Sequence, residues 1–348
     1  MTSELVGVRF AGEGTTHAVL SDTYTSTGKY ATSTDASGTT TYMDRLSSKA
    51  TPEGTLNYTY DAAGHVASIA SSNTNGASTS YTYDDLNRLN TVVDNRLSGS
   101  NTTTYSYDSA NNVATITYPN GVQSTFTYDT LNRVSMLVSP VSGYGYQRGP
   151  TGNLTSATEL SGRTENWTYD GIYRLTNETI SLAPSGKNGS IGYGLDPVGN
   201  RTSESSTVSG ISSGSFGFNA DDELTSESYD QNGNVTASGG KAFSYDSQNQ
   251  LMSMTASGTS ASMVYDAFGN RVSKTVNGVT TKYLVDDLNP TGYPQVVDEL
   301  TNGTVTRAYT TQLPTQDFSV LYVFSSTYKQ LAVPGTGCKL LIPLIILL

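Results

Sequence analysis

The pair Tyr-Asp occurs eight times between residues 60 and 266, each time at the head of a short phrase of one shape. Tyr60-Asp61-Ala62-Ala63-Gly64-His65-Val66 and Tyr265-Asp266-Ala267-Phe268-Gly269-Asn270-Arg271-Val272 are examples. The other copies begin at Tyr83, Tyr107, Tyr128, Tyr169, Tyr229 and Tyr245, most of them 20 to 24 residues apart. Self-similarity at such a period marks a stack of like units, and it outranks local propensity as evidence for fold. The 348 residues therefore read as one continuous array rather than as two or three globular domains.

The phrase Tyr-Asp-x-x-(Gly/Asn)-(Asn/Arg)-(Leu/Val) has the chemistry of a turn. Asp at the first turn position accepts backbone N–H bonds, and three residues later Gly or Asn tolerates the positive φ that other residues resist. A three- or four-residue hairpin loop fits this spacing. The predicted turn heads are Asp61, Asp84, Asp108, Asp129, Asp170, Asp230, Asp246 and Asp266, each behind its tyrosine. The tight position falls to Gly64, Gly233 and Gly269 and to Asn87, Asn111, Asn132 and Asn249.

Each turn is entered by an alternating run, such as Tyr58-Thr59-Tyr60, Tyr81-Thr82-Tyr83, Phe126-Thr127-Tyr128 or Trp167-Thr168-Tyr169. Period two puts the aromatics on one face of a strand and the small hydroxyl residue on the other, and both kinds favour strands. Cross-strand aromatic pairs contribute roughly 0.2–1 kcal/mol each, so a ladder of them can hold a sheet. The chain leaves each turn in another short strand-like run, such as Val66-Ala67-Ser68-Ile69. Further reversal signals lie between units at Thr51-Pro52-Glu53-Gly54, Pro119-Asn120-Gly121 and Asn277-Gly278. Each repeat is about two strands, connected up and down. Weaker copies at Arg148-Gly149, Leu195-Asp196 and Phe218-Asn219 fill gaps in the period, and Tyr42-Met43-Asp44 makes one more near the start.

An apolar fraction of 35% is low for an ordinary core, but 24 tyrosines stand at strand positions. Tyrosine buries a ring while its hydroxyl reaches water or a partner, so a one-layer sheet can be held by it. A net charge of −11 argues against nucleic acid, whose phosphates demand a basic surface. The arginines of the turns, Arg88, Arg133, Arg174 and Arg271, are expected to solvate the turn surface or to meet the carboxylates of the neighbouring unit. One cysteine, Cys338, excludes an intrachain disulfide framework. The start, Met1-Thr2-Ser3-Glu4, has no signal-peptide pattern. The apolar end, Leu340–Leu348, is nine residues long where about 20 are needed to span a bilayer. That end reads as a buried or aggregation-prone strand rather than an anchor.

Two histidines, His17 and His65, and one cysteine write neither a zinc site nor a Cys-His nucleophile pair. His65 stands in the ordinary place after a turn glycine. One Asp per turn lacks the clustered ligands of a calcium loop, and only Asp221-Asp222-Glu223 and Asp286-Asp287 are dense enough to offer weak cation sites. Asp196-Pro197-Val198-Gly199 lies in register with the repeats and reads as another turn. No catalytic residue, metal or cofactor is expected, and the chain reads as a non-enzyme. The rival reading is a carbohydrate- or surface-binding module, with tyrosines stacked on sugar rings.

The stretch from Thr117-Tyr118-Pro119-Asn120-Gly121-Val122 through Phe126-Thr127-Tyr128-Asp129-Thr130-Leu131-Asn132-Arg133-Val134 resembles, from end to end, the unit of the rearrangement-hotspot (RHS) or YD-repeat family. Tyr283 to Val297, YLVDDLNPTGYPQVV, looks like the entry to that family's core-associated region. The resemblance covers about residues 38–310. It implies a long antiparallel hairpin strip that spirals into a hollow β-shell around a toxic C-terminal domain, as in bacterial effectors and insecticidal toxin complexes, with related shells in teneurins. It also implies export to the cell surface or beyond.

The organisation expected from it is a divergent segment over residues 1–37, the repeat array over 38–275, the start of the core-associated region over 276–310 and a non-family tail over 311–348. That tail is expected to be the product of a premature end or shifted frame, with a divergent set of terminal strands as the alternative. The expected protein is a non-catalytic shell fragment whose partners are a toxin domain or a cell-surface carbohydrate. Exposed strand edges are expected to invite self-association.

Overall fold

The computed structural model describes the backbone of Glu4–Leu5, Ser21–Tyr24, Tyr30–Asp35 and Gly38–Tyr42, and residues 45–99, 101–183 and 187–310 with their side chains. His17, Cys338, Met43 and Asp44, most of the 1–37 segment and the whole 311–348 tail lie outside the described residues.

Among the described residues the chain is all β, with 29 strands and no helix. Twenty strands from Glu4–Leu5 to Gly214–Ser215 form one sheet, and nine from Ser228–Tyr229 to Thr304–Ala308 form a second. The meander is antiparallel from strand to strand, as in Gly54–Tyr60 against Val66–Ser71 and that strand against Ser78–Tyr83. The weaker copies fold as hairpins too: Gly143–Arg148 pairs with Leu154–Glu159, Gly189–Leu195 with Arg201–Ser206, and Phe218 bridges to Leu224.

By internal packing the chain divides into two compact units, Met1–Thr104 with Lys241–Leu348, and Tyr105–Gly240. In the first, alternation buries Leu56, Tyr58, Ile69, Tyr81 and Val92 on one face. Tyr58 stands directly across from Ile69, and Tyr81 from Val92. The opposite face is laced by hydroxyl pairs between neighbouring strands, Thr59 with Ser68 at 2.6 Å and Thr82 with Thr91 at 2.7 Å. The second unit repeats this plan, with Tyr105, Ile116, Phe126 and Val134 buried and a further cluster of Ile180, Ile191 and Val208.

The turn after each Tyr-Asp is a three-residue loop closed by two backbone bonds. The amide of Asp61 donates to the His65 carbonyl at 3.0 Å, and that of Gly64 donates to the Asp61 carbonyl at 3.1 Å. The tyrosine then pairs one residue out of step: Thr59 opposes Ser68 but Tyr60 opposes Val66, a β-bulge repeated at Tyr83, Tyr128, Tyr169, Tyr245 and Tyr265. Between units, Asn277-Gly278 makes a two-residue reversal with both φ positive, at 48° and 83°, joining Val276 to Val279.

One turn breaks the pattern. In Asp170-Gly171-Ile172-Tyr173-Arg174 the left-handed position is occupied by Tyr173, with φ of 67° and 59% of its surface exposed. A bulky aromatic pays for that backbone without gaining burial. Tyr173→Asn is expected to stabilise the protein by about 1 kcal/mol, seen as a higher urea midpoint at unchanged slope.

Candidate functional site: the Tyr-Asp turns and a buried aspartate clasp

In seven of the eight turns the aspartate serves both of its oxygens. Oδ1 of Asp129 accepts the amides of Leu131 and Arg133 at 2.9 and 3.0 Å, while Oδ2 accepts from Arg133 Nε at 2.7 Å. Asp84 with Arg88 and Asp170 with Arg174 repeat this arrangement. Where the fourth residue after Asp is Asn, its side-chain amide takes the guanidinium's place, as Asn112 does on Asp108, Asn234 on Asp230 and Asn270 on Asp266. His65 does so on Asp61 at 3.0 Å. Asp246 accepts the amides of Gln248 and Gln250.

The Asn/Arg position of the phrase is thereby explained: it closes the second oxygen of its own unit's aspartate. This corrects the expectation that the turn arginines meet a neighbouring unit's carboxylates, since Arg88, Arg133 and Arg174 pair within their own turns. Arg271 instead lies over the Tyr283 ring, 5.4 Å from its centroid.

The Arg133 side chain beside Asp129 holds its carboxyl down at about 2, and Arg88 lowers Asp84 in the same way. A carboxylate depressed in the fold contributes stability that is whole above its unfolded value and is lost as pH falls through its folded one. The melting temperature is therefore expected to fall as pH is taken from about 3.8 to about 2. Asp129→Asn should flatten part of that fall, and an unchanged acid profile would show that the turn carboxylate does not titrate with folding.

The tyrosines reach further than their own turn. Tyr60 Oη donates to the carbonyl of Leu46 at 2.7 Å, Tyr83 to Val66 at 3.0 Å, Tyr128 to Val113 at 2.8 Å, Tyr169 to Leu154 at 2.6 Å and Tyr265 to Leu251 at 3.1 Å. Each acceptor opens the strand that leaves the previous unit's turn, two residues before the ladder to the next strand begins. Val66 precedes the Ser68–Ser80 pair, and Leu251 precedes Ser253–Ser262. The bulge leaves that carbonyl without a ladder partner, and the next unit's phenol supplies one. In the degenerate unit Arg148 replaces tyrosine and does the same, its guanidinium donating to the Val134 carbonyl at 2.6 Å. Of the remaining tyrosines, Tyr107 and Tyr245 end the strands Thr102–Tyr107 and Lys241–Tyr245, and Tyr229 Oη accepts the Leu224 amide at 3.1 Å.

The left-handed positions are filled by Gly64, Gly233 and Gly269 and by Asn87, Asn111, Asn132 and Asn249, with φ between 58° and 98°. Asp196 heads a turn too, accepting the amides of Val198, Gly199 and Asn200. These residues recur turn by turn and do not converge on one centre.

A convergence that the sequence did not announce lies in the first unit. The strands Val279–Asp286 and Gln295–Thr301 meet residues 49–77 through buried acids. Asp298 is fully buried and accepts from Ser71 Oγ at 2.6 Å, Asn73 Nδ2 at 3.1 Å and the Ala77 amide at 2.7 Å. Gly76 is required there because a Cβ would stand 2.6 Å from both Asp298 Oδ2 and Ser71 Oγ. Asp286, also fully buried, accepts from Tyr58 Oη at 2.8 Å and the Leu288 amide at 3.0 Å, both on Oδ1. Its Oδ2 is buried with no hydrogen-bond partner.

Asp287 pairs with Lys49 at 2.8 Å. The Asp286-Asp287 pair is thus split between two partners rather than presented jointly as a cation site. In the other dense acidic group, Asp222 occupies a left-handed turn position and accepts from Asn200 Nδ2 at 2.7 Å. Burial pushes the Asp286 carboxyl up to about 6, and burial with the nearby Asp286 charge raises the Tyr58 phenol.

The family model described as the teneurin YD-shell matches residues 39–149. The tRNA nuclease WapA of Bacillus subtilis (strain 168) is 38% identical over 109 residues, which make up 28% of this chain and 4% of that protein. The tRNA(Glu)-specific nuclease WapA of Bacillus subtilis subsp. natto is 40% identical over 77 residues, 20% of this chain and 3% of that protein.

Among solved structures, the Tc holotoxin pore of Photorhabdus luminescens superposes with a TM-score of 0.60 at 14% identity, over 82% of this chain and 17% of that chain. The complex TcdB2-TccC3 without its hypervariable C-terminal region gives 0.63 at 16%, over 82% and 18%. The chain therefore spans a small part of every one of these relatives. At such identity the structural likeness concerns the fold, and no helix among the described residues is long and apolar enough to cross a membrane. Over residues 39–149 the chain is therefore similar to the teneurin YD-shell, and its hairpin sheet shares the fold of the toxin-complex structures.

Proposed function

We propose that this chain is a non-catalytic stretch of shell wall, built from the repeat array over 38–275 and the core-entry strands over 276–310, and that in its complete setting the wall encloses a toxin domain of a secreted bacterial effector. The observation that supports this reading most is the use made of the repeat's polar atoms. In seven of the eight units the aspartate accepts on both oxygens within its own turn, and in five the tyrosine hydroxyl is spent on a main-chain carbonyl, so the motif that defines the array serves mainly to hold its own backbone. Among the described residues the strand Thr304–Ala308 is paired on one side, with Gln295–Thr301, and its other side offers a place for further strands or a second copy.

Small-angle scattering tests the wall reading: a pair-distance distribution with a solvent-filled centre supports it, and a solid compact particle overturns it. Incubation with total tRNA tests the absence of catalysis, because the WapA relatives are named as tRNA nucleases. Intact tRNA is the expected result, and cleavage would sink the non-catalytic reading.

A second reading, sugar binding, draws on one observation. In the second unit Tyr146, Trp167 and Tyr193 are only half buried, whereas Tyr58, Tyr81 and Tyr105 are buried. Retention on a glycan array, abolished by Trp167→Ala, would favour it.

A further inference from the structure

We propose that Asp286 is the protonatable pin of a clasp that ties the strands Val279–Asp286 and Gln295–Thr301 to the repeats of residues 49–77, so that this join tightens in acid and loosens toward alkaline pH. The inference concerns the internal joint of the first unit and stands apart from the wall function proposed above.

The clasp has two pins of different character. Asp298 is a satisfied carboxylate, its oxygens covered by the Ser71 hydroxyl, the Asn73 amide and the Ala77 main chain. Asp286 receives donors on Oδ1 alone, from Tyr58 and the Leu288 amide, and its Oδ2 is buried without a partner. An ionised carboxylate with one bare buried oxygen is costly, whereas the neutral acid carries its proton on that oxygen and keeps both bonds on the other.

The charged and titratable groups around it do not cancel the cost. Asp287, next in the chain, is of like charge. Lys49, from the strand Leu46–Thr51, is committed to Asp287 at 2.8 Å. Tyr58 and Tyr60, from the strand Gly54–Tyr60, are phenols whose own ionisation the Asp286 charge opposes, and Arg45 lies over the Tyr60 ring rather than on Asp286.

The sign follows from linkage. Closed, the carboxyl has been pushed from 3.8 up to about 6, and opened to water it returns to its ordinary value. Between those values the closed form holds the extra proton, so closure weakens as pH rises through that window and levels off above it. A displacement of about two pH units corresponds to roughly a hundredfold change in the open-to-closed ratio.

Hydrogen–deuterium exchange of the whole chain at pH 5 and pH 8, corrected for intrinsic exchange rates, reads this directly. Protection of the Leu288 amide and of the strand Val279–Asp286 is expected to drop by roughly tenfold, the part of that change that lies above pH 5, while the strand Thr164–Tyr169 in the other unit keeps its protection. In Asp286→Asn the drop should vanish. Equal protection of the wild-type clasp at both pH values, or a drop that persists in Asp286→Asn, would overturn the proposal. Should that variant fail to fold, Tyr58→Phe decides: without the phenol's bond the carboxylate is less supported, so the pH at which protection stops falling must move upward. An unmoved limit with uniformly lower protection would show a structural contact and no proton-linked pin.

Discussion

Asp298→Ala is expected to destabilise the first unit by about 3–5 kcal/mol, the range for removing one partner of a buried charged network. The loss strands Ser71 Oγ and the Ala77 amide in a site closed to water, and leaves Asn73 Nδ2 with only its second acceptor, the Glu53 carbonyl. Each stranded donor carries the desolvation penalty that its bond had offset. Asp298→Asn should fall between, because its carbonyl still accepts from Ala77 while its amide nitrogen faces the Asn73 donor. The same pin can be approached from the opposite side: Gly76→Ala forces a methyl to within 2.6 Å of Asp298 and Ser71 and should cost about 1–3 kcal/mol by overpacking. Chemical unfolding of the variants checks both, and losses below about 1 kcal/mol in each would mean that the clasp does not carry load.

Gly269→Val is expected to cost about 2–3 kcal/mol and Tyr265→Phe about 1 kcal/mol. The first places a β-branched residue at φ of 85° and its Cβ 3.1 Å from Gln250 Nε2. The second removes a single bond, from the phenol to the Leu251 carbonyl at 3.1 Å, and keeps the ring where it packs. The orphaned carbonyl lies at a partly exposed strand start where water can replace the phenol, which limits the loss. Equal melting shifts for the two variants would refute the left-handed assignment at Gly269.

How far the sequence could be read depended on the reach of each interaction. The strand alternation and the turn spacing are local, and the hairpin meander follows from them because a period of two and a three-residue loop leave little else to build. The same locality concealed Tyr173. Its position in the phrase demands Gly or Asn, yet the ladder on either side, Trp167 against Glu178 and Tyr169 against Leu175, holds the turn in place over an unfavourable residue. The Asn/Arg position was legible as a motif and not as a function, since its partner, the second oxygen of an aspartate four residues back, emerges only when the loop is closed. The phenol's acceptor, 14 to 17 residues earlier, required the bulge that frees a carbonyl. The clasp joins residues 221 to 228 apart, and no spacing rule reaches that far. Asp286 read as half of a weak cation site and Asp298 carried no signal, because burial belongs to the packed sheets and not to the segment that carries them.

The bond that five of the eight tyrosines make to the strand behind them gives the array a grammar. A unit is completed by its successor, so the smallest piece that can be gained or lost without damage runs from one phenol to the next. Unequal crossing-over between gene segments encoding two such phrases keeps every carbonyl supplied, provided the breakpoints fall at matching places in the phrase. A break elsewhere leaves one phenol without an acceptor and one acceptor without a phenol. An array joined in this way can change its length over generations in whole steps, and it forbids fractions of a step.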